Sequence, residues 1–228
     1  MRHRKHSEAE SIFFARVREL EEQFFGDQLD PNDKSRIKSD RYSWHYRPSH
    51  HAATGLITQE DCEALSQPGK RLLSIGASPP FLEQLFPHLG IPGEHIVIAD
   101  KDPQILNIAG AMQKEVFDMT NEWPNMGDAD LIIFPESLCI ALSNKLEQEI
   151  GDLDNKKSEK YASDFREAEL LAAVLRQALE RLRPGGEIRA NGPMSHPNVM
   201  KMAQLQLLKE GYDCVIEYER FFLRVRKK

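Results

Sequence analysis

From about residue 70 onward, the chain alternates between short apolar runs and longer stretches in which apolar residues recur at helical spacing. The apolar runs predict buried strands, and the helical patterns predict helices packed on a sheet. The predicted strands span 72–75, 95–99, 116–120, 129–134 and 187–190, and the predicted helices span 79–89, 103–113, 165–183 and 198–209. Two adjacent strands, 213–218 and 221–225, close the chain. This alternation is typical of an α/β protein with a doubly wound, mostly parallel sheet, here with an antiparallel C-terminal strand.

Residues 1–68 follow a different pattern and are predicted to form a helical extension and lid ahead of a main domain, residues 69–228. Ser7 and Glu10 form a capping-box pattern at the start of a helix that Gly26 ends. Its apolar face consists of Ile12, Phe13, Val17, Leu20 and Phe24. Such a face must pack on the main domain or on a second subunit, so the helix could carry a homodimer. Residues 27–40 are predicted to form a loop.

Residues 41–51 are unusually rich in aromatic and histidine side chains. One interpretation is a substrate-side lid, because binding residues concentrate on such loops. Its candidates for stacking or for proton transfer are Tyr42, Trp44, Tyr46, His50 and His51. The other interpretation is a loop whose aromatic rings pack onto the core. A metal site built from His45, His50 and His51 is less favoured, because no carboxylate or cysteine lies beside them at ligand spacing.

A sharp turn follows the first predicted strand of the main domain. Gly76 interrupts the apolar run at a point where a ligand could approach the backbone closely. Ser78 is a suitable helix N-cap, and Pro79 suits the first helical position. The pattern predicts a strand, a tight turn and a helix whose first turn favours a bound anion or carboxylate.

An acidic residue ends the second predicted strand, about twenty residues after the glycine turn. Asp100 at this position can accept two hydrogen bonds from a ribose diol, as acidic residues do in nucleotide-binding folds. The alternative is that Asp100 or Asp102 only caps the next helix. We assign the ribose to Asp100 and the cap to Asp102, which precedes Pro103.

Composition limits the classes of function. The chain has 228 residues, a formal charge of -6 and a pI near 5.8, which disfavours nucleic acid as a partner. Cys62, Cys139 and Cys214 are isolated, so neither a disulfide framework nor a zinc site is indicated. No apolar run approaches the roughly 20 residues of a membrane helix, and a cytoplasmic location is expected. The charged residues 143–163 are predicted to form either a partly helical, mobile insertion near the ligand edge or a plain solvated helix.

The order of these pieces resembles that of the class I S-adenosylmethionine-dependent methyltransferases over residues 69–228. The similarity lies in Leu-Leu-Ser-Ile-Gly76, Ile-Val-Ile-Ala-Asp100, Val-Phe-Asp118-Met, Ala-Asp-Leu-Ile-Ile-Phe134 and Leu-Arg-Pro-Gly-Gly186. The resemblance implies a Rossmann-like fold and S-adenosylmethionine as cofactor. It also implies that the cofactor-binding residues are Gly76, Ala77, Ser78, Asp100, Lys101, Asp118, Met119 and Pro135.

The chain departs from the family where the glycine-rich loop is expected. It has Gly76-Ala-Ser-Pro-Pro80 in place of a Gly-x-Gly-x-Gly loop, and prolines remove donors and stiffen the turn. Ser74 replaces an acid that, in the family, often helps to place the amino group of the methionine part. The loop is similar to that of the nicotianamine synthases, which transfer an aminocarboxypropyl group, so this reaction stays an alternative to methyl transfer.

Glu136, just beyond the fourth predicted strand, is the first candidate to face the reacting carbon, where it would orient an amine or act as base. It could equally be a carboxylate at a helix start. His50 and His196 are weaker candidates for the same catalytic role. The favoured hypothesis is a transferase acting on a small molecule. The alternatives are a catalytically inactive binding or assembly module and a nicotinamide-dependent oxidoreductase, which the missing Gly-x-Gly-x-x-Gly pattern disfavours.

Overall fold

The computed structural model describes residues 8–30, 32, 36–37, 45–77, 79–108, 110–150, 157–192, 196–219 and 221–228, without the side chains of 8–9, 45, 150 and 157–162. The helices are α1 Glu8–Phe25, α2 Pro48–Thr54, α3 Gln59–Leu65, α4 Phe81–Leu85, α5 Ser137–Ile150, α6 Lys157–Arg181 and α7 Pro197–Lys209. The strands are β1 Arg36–Ile37, β2 His45–Tyr46, β3 Leu72–Ile75, β4 Ile96–Asp100, β5 Gln113–Val116, β6 Ala129–Pro135, β7 Leu182–Asn191, β8 Cys214–Glu219 and β9 Phe222–Lys227.

Seven of the strands form one sheet in the order β5-β4-β3-β6-β7-β9-β8. The strands β3 to β7 are parallel to one another, and β9 pairs antiparallel with both β7 and β8. The sheet confirms the predicted fold class. From β3 the chain builds outward through β4 and β5, then returns to place β6 on the other side of β3. This reversal puts a crevice at the carboxyl ends of β3 and β6, where open α/β sheets bind ligands.

The central strands are apolar throughout because both of their faces are covered. Leu73 and Ile75 of β3 pack toward α5, α6 and α7, while Leu72 of the same strand packs toward α1, α3 and α4. Strands buried on both faces produce continuous apolar runs, which is the pattern that the sequence showed. By contrast, β5 lies at the sheet edge and has no fully buried residue.

Helix α1 packs on the main sheet layer through Phe13, Val17 and Leu20, as predicted. Two members of its predicted face were wrong, because Ile12 is 62% exposed and Phe24 is 42% exposed. Phe25 is buried in place of Phe24 and meets the ring of Phe81. The helix therefore contributes to a core that it shares with one face of the sheet.

A buried carboxylate joins α1 to α2. Glu21 is 1% exposed, and its two oxygens accept hydrogen bonds from Arg47 Nη1 at 3.3 Å and from the backbone N–H of Ser49 at 2.9 Å. The prediction of a loop over 41–51 is wrong beyond residue 47, since Pro48 begins α2. Residues 41–44 lie outside the described residues. The predicted loop at 27–40 includes β1, which pairs with β2.

Three predicted elements differ from the structure. The helix expected at 79–89 begins only at Phe81 and changes to a 3-10 turn at residue 86, where Pro87 interrupts the α-helical hydrogen bonds. The helix expected at 103–113 is a 3-10 turn, Pro103–Asn107. Residues 113–116 instead extend the sheet, so the third strand lies earlier than the expected 116–120.

The charged stretch 143–163 belongs, where it is described, to α5 and α6. The helix predicted at 165–183 begins at Lys157 because these polar residues continue it. None of the described helices combines the length and the apolar character that crossing a membrane requires.

We predict that Glu21→Ala lowers the free energy of unfolding by about 3–5 kcal/mol, because Arg47 would keep a buried charge without its partner. Glu22→Ala is the matched control, since Glu22 is the exposed neighbour on the same helix. Urea denaturation of both variants measures the difference. Equal stability of the two variants would show that α1 does not depend on this pair.

Candidate active site

A cavity of about 240 Å³ opens at the carboxyl ends of β3, β4 and β6. It lies at the crevice where the strand order reverses. The sequence-predicted residues that line it are Gly76, Asp100, Lys101, Asp118, Met119, Pro135 and Glu136. Residues from four separate segments of the chain thus meet at one edge of the sheet, because parallel strands present their carboxyl ends on the same side.

Gly76 is required by the packing of the protein itself. Its φ is +77°, a left-handed conformation that side chains disfavour, and a Cβ atom there would overlap the side chain of Ser137. Ser137 begins α5 and donates a hydrogen bond from its Oγ to the carbonyl of Ile75 at 2.7 Å. The turn after β3 is therefore held directly against the first turn of α5, beside the cavity.

Asp100 ends β4 and Asp102 follows it, and the two aspartates have different roles. The sequence analysis assigned the cap to Asp102, and the structure confirms this. Asp102 Oδ1 accepts a hydrogen bond from the backbone N–H of Gln104 at 3.1 Å and so caps the 3-10 turn. Asp100 lines the cavity, and its Oδ1 accepts the backbone N–H of Asp102 at 2.8 Å. That hydrogen bond fixes the orientation of the Asp100 carboxylate at the cavity edge.

Asp118 lies in the loop after β5 rather than in a strand. Its Oδ1 accepts hydrogen bonds from the backbone N–H of Thr120 at 2.9 Å and from Thr120 Oγ1 at 2.8 Å. These bonds shape the turn that carries Met119 and Phe117 to the cavity wall. On the facing wall, Ile140 of α5 is 55% exposed, which is unusual for a large apolar side chain.

Glu136 combines backbone strain with a central position. Its φ is +55°, and no other described residue except glycine has a positive φ. Strained backbone of this kind clusters at functional sites. Its Oε2 accepts the backbone N–H of Tyr46 at 3.0 Å, which ties β2 to the end of β6.

Asn191 holds this strained residue and was missed by the sequence analysis. It ends β7, is 1% exposed, and its Oδ1 accepts the backbone N–H of Glu136 at 3.2 Å. Because a backbone N–H can only donate, the amide orientation is fixed, and Nδ2 must point to His51 Nδ1 at 2.6 Å. His51 Nδ1 therefore accepts this hydrogen bond.

A second buried carboxyl group, also missed, lies behind the turn after β3. Glu83 of α4 is 1% exposed, and its Oε1 accepts a 2.5 Å hydrogen bond from Ser74 Oγ. Burial raises the pKa of the Glu83 carboxyl from 4.5 to about 7, and the charge of Asp100 adds to the rise. The sequence did contain a signal for this group, because Glu83 lies at helical spacing among buried apolar residues, three positions before Phe86.

Of the other predicted site residues, those that the structure describes lie outside the lining of the larger cavity. His50 stacks on the ring of Tyr46 with centroids 4.2 Å apart. His196 caps α7 by accepting the backbone N–H of Asn198 and is exposed. Ala77 is buried and lines a smaller chamber behind Gly76. Ser78 lies outside the described residues.

The side chains that line the cavity fit a nucleoside. A carboxylate at the end of β4 matches a ribose diol, and the apolar walls from Phe117, Met119 and Ile140 match a base that needs to leave water. The turn after β3 fits less fully, since the Cβ space of Gly76 is taken by Ser137 and is not open to a ligand.

No protein-family model matches the chain, and no curated protein is significantly similar to it in sequence. Solved structures with a similar fold include a SAM-bound amino pentose methyltransferase from Micromonospora echinaspora, at 10% identity over 75% of this chain and 88% of that chain, with a TM-score of 0.48. A sugar N-methyltransferase from a Streptoalloteichus species has 12% identity, coverage of 75% and 85%, and a TM-score of 0.45. DesVI from Streptomyces venezuelae has 8% identity, coverage of 75% and 89%, and a TM-score of 0.47.

The strand order of the chain itself places the fold. A mostly parallel seven-stranded sheet with its antiparallel strand second from one edge is a Rossmann-like arrangement.

We predict that Gly76→Ala destabilises the protein more than Gly69→Ala does. Both glycines have a φ of +77°, so both variants incur the left-handed strain of about 1–2 kcal/mol. Only Gly76→Ala also pushes against Ser137, at a further cost of about 1–3 kcal/mol. Thermal and urea unfolding of the two variants measure the difference. Equal losses would contradict the close contact between the turn and α5.

We predict that Glu83 makes stability fall with rising pH. The folded carboxyl keeps its proton up to a pKa of about 7, whereas the unfolded one releases it near 4.5. Between these two pKa values the folded state binds more protons than the unfolded state. The stabilising contribution of Glu83 is therefore fully present below the unfolded pKa and is lost as the pH rises to the folded pKa.

Urea unfolding at about pH 5 and about pH 8 tests this sign. Relative to Glu83→Gln, the free energy of unfolding of the unsubstituted protein should fall by up to about 3 kcal/mol from the lower pH to the higher one. Glu122→Gln, at an exposed position, should show no such difference. A constant gap between the protein and Glu83→Gln would mean that the carboxyl titrates normally.

Proposed function

We propose that the chain is an S-adenosylmethionine-dependent methyltransferase that acts on a small molecule. The observation that carries the proposal is the cavity at the reversal of strand order, which gathers Gly76, Asp100, Asp118, Met119 and Glu136. These residues come from the ends of β3, β4 and β6 and from the loop after β5, and each was selected from the sequence for this role.

Each segment has a separable task in the proposal. Asp100 accepts hydrogen bonds from the ribose hydroxyls, and its fixed orientation lowers the entropic cost of binding. Phe117, Met119 and Ile140 cover the base and remove apolar surface from water. Lys101, which also lines the cavity, and Pro135 border the same space. When bound, the cofactor supplies a methyl group on a sulfonium, which is an electrophile.

Glu136 is the proposed catalytic residue because it borders both the cavity and the smaller chamber behind Gly76. Its carboxylate orients the nucleophile or takes its proton. Asn191 acts as a positioning residue by holding the Glu136 backbone in its strained conformation. His50 and His51 belong to the N-terminal segment that covers this end of the sheet, the side from which a small substrate would enter.

Calorimetric titration with S-adenosylmethionine and S-adenosylhomocysteine tests the proposal. We expect Asp100→Asn to weaken binding by about 5- to 150-fold, equivalent to about 1–3 kcal/mol, because an acceptor of the diol becomes a donor. Asn keeps an oxygen for the N–H of Asp102, so the turn should survive. Asp128→Asn is the matched control, since Asp128 is exposed and precedes β6 at the opposite end of the strand.

Failure of the intact, folded protein to bind either compound would overturn cofactor use. The inactive binding module would then be the better hypothesis.

A further inference from the structure

The carboxyl group of Glu83 is buried without a countercharge. Oε1 accepts one hydrogen bond from Ser74 Oγ, and the backbone N–H of Glu83 itself also contributes. A carboxylate can accept about four hydrogen bonds, and none of the described cationic side chains forms an ion pair with Glu83. Buried carboxylates are normally paired, because isolating the charge is costly. The group is therefore incomplete as the described chain holds it.

Glu83 lines a chamber, here called the Glu83 chamber, together with Tyr46, His51, Gly76, Pro79 and Glu136. Its volume is about 20 Å³, enough for one group about the size of a water molecule. The described lining of the chamber includes two glutamates and neither lysine nor arginine. It shares Gly76, Pro135 and Glu136 with the larger cavity, so the two spaces are adjacent.

We propose that the Glu83 chamber binds an ammonium or amine nitrogen and that Glu83 is its counterion. An ammonium group offers three donors in a compact volume, and the Glu83 carboxylate supplies the acceptor. The carboxyl group of Glu83, half protonated near neutral pH, becomes fully ionised when the cation binds. The cation then supplies the countercharge that the buried Glu83 carboxylate lacks, without any change in the surrounding apolar packing.

The nitrogen has two possible sources, and both rest on the proposed function. It is either the amino group at the methionine end of the cofactor or the amine of the acceptor substrate. In the first case Glu83 replaces, from α4, the acid that is missing at Ser74. In the second case the chamber selects amines as the substrate class. The chemistry of binding is the same, and ligands that differ only in the amino group separate the two sources.

The first experiment compares two ligands by calorimetry at neutral pH. They are S-adenosylhomocysteine and its deamino analogue, in which hydrogen replaces the amino group. If the nitrogen belongs to the cofactor, Glu83→Gln should weaken the amino ligand about tenfold and leave the deamino analogue unchanged. If it belongs to the substrate, neither ligand should respond. Glu122→Gln is again the exposed control, and thermal unfolding checks that the variants fold.

The second experiment uses the unsubstituted protein, so it does not depend on the folding of a variant. Carbon-13 labelling of the glutamate carboxyls identifies the group that titrates near pH 7. Methylammonium chloride at ten times its dissociation constant should lower that midpoint by about one pH unit, because the cation binds the ionised form. Tetramethylammonium, which has no N–H donor and is too large for the chamber, should leave the midpoint in place.

The two experiments also separate the failure of this inference from failure of the proposed function. An absence of S-adenosylhomocysteine binding would overturn the proposed function, while the methylammonium titration would still decide on the chamber. A midpoint that methylammonium does not move, together with equal ligand affinities in the protein and in Glu83→Gln, would overturn the role of Glu83. A response to methylammonium would support the role of Glu83. Weaker binding of S-adenosylhomocysteine by Glu83→Gln would then assign the nitrogen to the cofactor, and unchanged binding would assign it to the substrate.

Discussion

Burial of β3, β4 and β6 on both faces is the constraint on which the rest of this structure depends. Strands covered on both sides can carry few polar side chains, so polar chemistry is displaced to the points where the strands end. Asp100 and Glu136 stand at such points, each directly at the carboxyl end of its strand. Since the parallel strands end on one side, their polar residues meet at one edge of the sheet.

Two of the polar groups that lie inside the protein serve this edge. Ser74 is a fully buried member of β3, and its hydroxyl reaches Glu83. Asn191 ends β7 and satisfies the backbone of Glu136 on one side and His51 on the other. An unsatisfied buried amide or carboxyl costs several kcal/mol, so such groups persist only where the surrounding structure holds them in place.

The N-terminal segment contributes to the same edge instead of standing apart from it. Glu21 anchors α2 to α1, α2 carries His51 to Asn191, and the backbone of Tyr46 binds Glu136. Tyr46 and His51, from the segment that the sequence analysis interpreted as a lid or a packed loop, line the Glu83 chamber. His51 reaches it from a helix, which fixes the ring more firmly than a loop would.

The amino-acid sequence by itself determined the central strands and the residues at their ends. Continuous apolar runs can only be buried, and Asp100 and Glu136 are adjacent to them in the chain. It did not determine the segment 103–116, because pairing with the exposed edge of β4 outweighed a weak helical pattern. Only the tertiary structure brought together Asn191 with His51 and Glu21 with Ser49, which lie 140 and 28 residues apart. Local patterns carry no record of such pairs, since each partner satisfies a group that becomes buried only when the chain has folded.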